Sequence, residues 1–265
     1  MQLTRSTLCT LVVLALVVTA GCQGLYGSSA PPSDQQAVDA VTQAQEASGN
    51  VTAYRVSIDG QVEISDDSRS ESVNLTGDGL VNVDRQQANV TIGAVGDTRV
   101  GLRDTRMAYV DGYTLTTECS RLGWARYNLS DSTRWFNYTP LGQQLTLLDR
   151  TNVYWNGTER VNGVETAVVT AYPTEDQLQA NQNLPTGNVG TQGSATLDNA
   201  TVRVWISTET HRVRKVQREI HVRGDGATGV ATITFRFTDY NEPTNITRPT
   251  FEESGTEWKS GCPDT

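Results

Sequence analysis

Few side chains in this sequence have the type and spacing that catalysis would need. His211 falls in an expected turn over residues 208–211, and His221 lies between Ile220 and Val222 on the polar side of a strand. Both read as surface histidines rather than general bases. There is no Gly-x-Ser-x-Gly elbow, no phosphate-cradling glycine loop and no His-Glu-x-x-His pair. Carboxylates gather in turns, at Asp66-Asp67 and Glu252-Glu253, where hydration accounts for them. No two of them stand out as the pair that glycoside hydrolysis requires. Cys119 and Cys262, taken with the two histidines, lack the ligand spacing of a zinc site. The sequence therefore predicts no catalytic residue, no metal and no cofactor.

The chemistry it does suggest is covalent modification. Arg5 is followed by an apolar run from Leu11 to Val18 and then by Thr19-Ala20-Gly21-Cys22. A charged start, a short apolar core and small residues before a cysteine have the form of a secretory signal over residues 1–21 ending in a lipobox. Cys22 would then be lipidated and become the first mature residue, anchoring the protein to a membrane without spanning it. Residues 22–33, rich in Gly, Ser and Pro, read as a flexible tether. Export leaves Cys119 and Cys262 as an even pair in an oxidising compartment, a candidate disulfide, with two free thiols as the alternative. Eight Asn-x-Ser/Thr sequons, at Asn50, Asn74, Asn89, Asn128, Asn137, Asn156, Asn199 and Asn245, add glycosylation candidates. Abundant Asn and Thr in polar strands would give some of them without any glycan.

The chain has 265 residues with 30 acidic against 21 basic side chains. That balance gives no basic patch and argues against a nucleic-acid partner. The only lysines are Lys215 and Lys259; the remaining basic residues are arginine. Such a surface suits high salt, and a GC-rich genome produces the same bias. A haloarchaeal cell surface reconciles lipobox, sequons and acidity.

The elements that must carry these features are mostly strands. Ser33 with Gln36 has the form of a capping box, and Ala37, Val38, Val41 and Ala44 share a helical face that Gly49-Asn50 ends. Period-two alternation then runs through Tyr54, Val56, Ile58, Val62 and Ile64, with a bend expected at Gly60. After a turn at residues 66–70 it continues through Val73, Leu75, Val81 and Val83, then Val90 and Ile92, then Val100 and Leu102, then Met107 and Tyr109. Asp111-Gly112 and Asn162-Gly163 read as hairpin turns. Thr139-Pro140 opens a second helix with the stripe Leu141, Leu145, Leu148, and residues 174–180 a short third one. Residues 181–194 read as a mobile loop, and three long strands over 200–207, 213–222 and 229–238 complete a domain spanning 34–265. The pattern predicts an α+β fold, a single antiparallel sheet with helices on one face.

Three segments carry a family resemblance. They are Arg160–Tyr172 (RVNGVETAVVTAY), Val202–Arg214 (VRVWISTETHRVR) and Phe235–Asn241 (FRFTDYN), the last followed by Ile246 and Pro249. With Gly123-Trp124 and the leucine-rich helix, their order resembles the lipoprotein-sorting carriers and the mycobacterial lipid-carrier lipoproteins over roughly residues 51–250. The resemblance implies a strongly curved, incomplete barrel whose concave face is closed by helices, and an apolar cavity for the acyl chains of a lipid or lipoprotein. Tyr54, Val56, Ile58, Leu75, Val81, Phe235 and Phe237 would line that trough, with Leu141 and Leu145 on a helical lid. The competing expectation is a solid core of those same side chains, Trp205 among them, in an envelope module that recognises a partner protein.

Overall fold

Turn residues cut the alternating pattern into twelve strands among the residues that the computed structural model describes, 30–96, 106–118, 123–180, 195–224, 226–250 and 255–258. The strands are β1 (Ala53–Ser65), β2 (Ser70–Asn82), β3 (Gln87–Gly96), β4 (Arg106–Asp111), β5 (Thr114–Glu118), β6 (Gly123–Asn128), β7 (Val153–Val161), β8 (Val164–Ala171), β9 (Thr196–Ser207), β10 (Val213–Gly224), β11 (Ala227–Thr238) and β12 (Thr256–Trp258). They form one sheet in the order β12-β6-β5-β4-β3-β2-β1-β11-β10-β9-β8-β7, antiparallel except where β12 joins β6 in parallel. The order does not close, so β12 and β7 are its edges. All twelve strands lie within the compact unit Pro32–Thr265.

The turns follow from side-chain chemistry. Between β1 and β2, Asp66 Oδ1 accepts from the Ser68 and Arg69 N–H groups (2.7 and 2.9 Å) and from the Ser68 hydroxyl (2.8 Å). These bonds, the Ser68 N–H foremost, pull the Asp66 pKa below the usual carboxylate range. Asn162 and Gly163 both have positive φ, 49° and 81°, the backbone of a two-residue turn whose twist matches its flanking strands β7 and β8. No bulge interrupts β1 at Gly60. Pairing runs unbroken from Ser65 back past Gly60 on both sides of β1, because a residue without Cβ fits beneath Ile233 without displacing the strand.

Helix α1 spans Gln35–Ser48 and buries Ala37, Val41 and Ala44. Its expected capping box does not form: the N-cap is Asp34, and no side chain caps it. Ser33 and Asp34 instead serve the edge strand. The Val153 N–H donates to Ser33 Oγ (3.1 Å), the Trp155 N–H to Asp34 Oδ2 (3.0 Å), and the Asp34 N–H to the Val153 carbonyl (2.9 Å). An edge strand leaves a row of unpaired donors and acceptors, and here they outcompete the helix end for these two residues.

The second helical unit meets its expectation. A 3-10 turn, Trp135–Tyr138, leads into α2 (Pro140–Asp149), whose N-cap Thr139 accepts from the Gly142 N–H (3.1 Å) ahead of proline at the first position. Leu141, Leu145, Leu147 and Leu148 are all buried. A third helix, α3 (Glu175–Gln179), carries a complete capping box between Thr174 and Gln177. Residues 181–194, Cys22, Cys119, Cys262, Glu252-Glu253 and the strand expected near Val100 lie outside the described residues.

Candidate functional site

Register decides which side chains share the helix-covered face. One row crosses eight strands: Val153, Ala171, Val202, Arg218, Ile233, Gly60, Leu75 and Ala94 stand in direct partnership from β7 to β3. The next row contains Trp155, Val169, Val204, Val216, Phe235, Ile58, Gly77 and Ile92. Phe237, Val56, Gly79 and Val90 follow in a third, Tyr54, Val81, Ala88 and Val110 in a fourth. Such rows of apolar neighbours on one face are the sheet's unit of packing.

All nine side chains expected at the apolar trough fall in this one cluster. Tyr54, Val56, Val81, Leu141 and Phe237 are fully buried, Ile58, Leu75 and Leu145 nearly so, and Phe235 is half-buried. Tyr54 and Phe237 meet edge to face, with ring centroids 5.8 Å apart, and Tyr240 lies 6.0 Å from Tyr54. The Tyr54 hydroxyl accepts from the Leu141 N–H (3.1 Å), supplying one of the partners that a helix N-terminus lacks. Burial pushes the Tyr54 phenol far above its ordinary pKa, so it stays neutral here.

Trp205 departs from its expected place. It sits out of phase with Val202, Val204 and Ile206, and so points to the opposite face, opposite Lys215 and Val168. There its Nε1 donates to Glu159 Oε2 (2.8 Å) and Lys215 Nζ lies 3.7 Å from the ring centroid. The period of two sets the face, and Trp205 is nevertheless buried there, 3% exposed. On that outer face His221 pairs with Glu219 (2.7 Å), and His211 occupies a turn with φ 55°.

One residue of the core face is not apparent from residue type. Arg218 keeps the phase of Val216, Ile220 and Val222, the signal that could have found it. Its Nε donates to Gln144 Oε1 of α2 (2.8 Å), while its Nη2 is buried with no hydrogen-bond partner. Phe235 lies beneath the guanidinium, 5.9 Å from its ring centroid. The side chain touches solvent elsewhere, but this nitrogen does not.

The sequons divide by exposure. Asn50, Asn74, Asn128, Asn156, Asn199 and Asn245 are exposed, whereas Asn89 and Asn137 are half-buried. Asn89 and Asn245 line one outer-face pocket of about 190 Å³ with Asp78, Thr91 and Thr247, and the Asn89 Oδ1 is buried without a partner. Among the described residues no group of three or more His, Cys, Asp or Glu side chains converges as a metal site would require.

No family model matches the chain and no curated protein matches it. Among solved structures, the chain is similar to the lipoprotein LppX of Mycobacterium tuberculosis, with 17% identity over 81% of this chain and 100% of that one, TM-score 0.45. It is also similar to LprF from Mycobacterium bovis, with 10% identity over 83% of this chain and 99% of that one, TM-score 0.46.

Proposed function

We propose that the protein is an extracytoplasmic, lipid-anchored binding protein that holds an apolar ligand, a lipid or acyl chain, on the core face of its sheet and performs no reaction on it. The observation that carries this reading is the extent of the apolar face. Tyr54 and Phe237 are sealed, and elsewhere on the same face Phe235, Val90, Ile92, Ala94 and Val222 are half-buried and Ile64 is 38% exposed, set among the buried Val62, Val73, Leu75 and Ile233. Apolar side chains left partly open to water on an otherwise buried face are where an apolar ligand would enter. Gly60, Gly77, Gly79 and Gly229 lie on this face, where missing Cβ atoms favour the strong coiling of an incomplete barrel. In this reading α2 is the lid, and Cys22 holds the domain to the outer surface of the membrane.

Native mass spectrometry of gently purified protein tests the proposal. A co-purified lipid mass, or uptake of added palmitate at one equivalent, is the expected result. A clean apo mass with no uptake sinks it and favours the second reading, a protein-recognition module with a filled core.

The glycan proposal has its own check. A glycan needs a free side-chain amide, and Asn89 stands half-buried at the pocket it shares with Asn245. Site-resolved mass spectrometry of the native protein should find Asn89 unmodified and any glycans on the six exposed sequons. An Asn89 glycopeptide would mean that this pocket opens before the sheet is complete.

A further inference from the structure

A positive charge inside an apolar row is costly, and no acidic side chain among the described residues pairs with this one. The partners of Arg218 on its own strands are Ile233 and Val202, its row holds no other polar side chain, and its one hydrogen bond from Nε goes to a neutral amide. Burial lowers the guanidinium pKa to about 10, and no acidic group among the described residues offsets the effect. Arginine is the residue whose charge persists under such conditions. Structural buried arginines are normally paired with carboxylates. Here no described residue supplies the pairing group, while the donor that would serve it, Nη2, is already stripped of water.

We infer that Arg218 is the headgroup site of the apolar face, and that the ligand is an amphiphile ending in a single carboxylate, a long-chain fatty acid in chemical class. The inference rests on the apolar-ligand reading and adds the charge of the ligand to it. Nη2 would donate to one carboxylate oxygen, a charge-assisted bond in a dry setting. The chain would run from there over Phe235 and along its row, past Ile58 and Gly77, toward the half-buried Ile92. One cation balances one negative charge, so a monocarboxylate leaves the row neutral, whereas a phosphate monoester would leave a second charge buried. Gln144 fixes the guanidinium from α2 by its Nε and leaves Nη2 toward the ligand.

Titration calorimetry with the full chain separates the possibilities, using palmitate, hexadecanol and acetate as probes against wild type, Arg218→Met and Arg218→Lys. Wild type should prefer palmitate over hexadecanol at least tenfold and bind acetate far more weakly than palmitate. Arg218→Met should bind the two long chains alike, with Arg218→Lys in between, and should melt close to wild type, because the removed charge offsets the acceptor that it orphans on Gln144. Equal binding of palmitate and hexadecanol by wild type overturns this inference and leaves the apolar-ligand reading standing. So does a palmitate preference that survives in Arg218→Met. Failure of both long chains to bind overturns both. Acetate binding as tightly as palmitate overturns the headgroup role, making this a site for a small free anion. A lower melting temperature for Arg218→Met with the preference unchanged assigns Arg218 a structural role instead.

Discussion

Gly142→Ala should destabilise the protein by about 3 kcal/mol or more, although the same change in an ordinary helix stabilises. For a domain of this size that is a fall in melting temperature of about 6–12 °C. The reason is a close approach of two backbones. A Cβ on Gly142 would lie 1.9 Å from the Phe136 carbonyl oxygen and 2.6 Å from its carbon. Neither side can retreat cheaply. The Gly142 N–H is held by the Thr139 hydroxyl (3.1 Å), and that hydroxyl in turn donates to the Phe136 carbonyl (2.7 Å). The 3-10 turn is pinned to the β4–β5 hairpin by the Trp135 Nε1–H bond to the Gly112 carbonyl (2.7 Å). An added methyl must therefore push α2 from its N-cap, and with it Leu141 from the Tyr54 hydroxyl and Gln144 from Arg218. Calorimetry of the variant decides the matter. A melting temperature equal to or above that of wild type would show that α2 and the 3-10 turn are not in contact as described.

Elements whose residues answer to one local rule are legible in the amino-acid sequence. Thr139-Pro140 caps a helix because its own neighbours supply the orphan donors, and Asn162-Gly163 turns because both residues tolerate positive φ. The three long C-terminal strands are legible from their period alone. Choices settled by distant partners are not. Ser33 looks like a helix cap in its own segment, and only the bare edge of β7, more than a hundred residues on, draws it away. β12 has three residues, too few to show any period, and exists because Gly123 (φ 134°) admits the Thr256 backbone against β6. Arg218 is hidden differently. Its phase is visible, but charge suggests the wet face, and the missing partner that gives it meaning is a property of the assembled row. Phase also places Trp205 on the face opposite the main core, where it is still buried. In both cases periodicity is the stronger guide to face, and residue type the weaker one.

Phe237→Ala and Phe235→Ala, two positions apart on the same face, should fail in different ways. Phe237 is fully buried, in register with Val56 and edge-on to Tyr54. Truncating it leaves a cavity in the sealed part of the core and should cost about 3–5 kcal/mol, a fall in melting temperature of about 6–20 °C. The folded variant should bind palmitate as wild type does, since the row of Phe235 is unchanged. Phe235 is half-buried beneath Arg218, in the row that ends at the half-buried Ile92. Its truncation should cost less stability, yet weaken palmitate about 5- to 30-fold, the equivalent of roughly 1–2 kcal/mol of lost apolar contact. Alternation alone sets both phenylalanines side by side as walls of one cavity. If Phe237→Ala barely lowers the melting temperature but weakens palmitate, that shared placement is right and the sealed core is itself the ligand chamber. If both variants lose stability and neither changes palmitate binding, the apolar face is filled along its whole length and the ligand sits elsewhere.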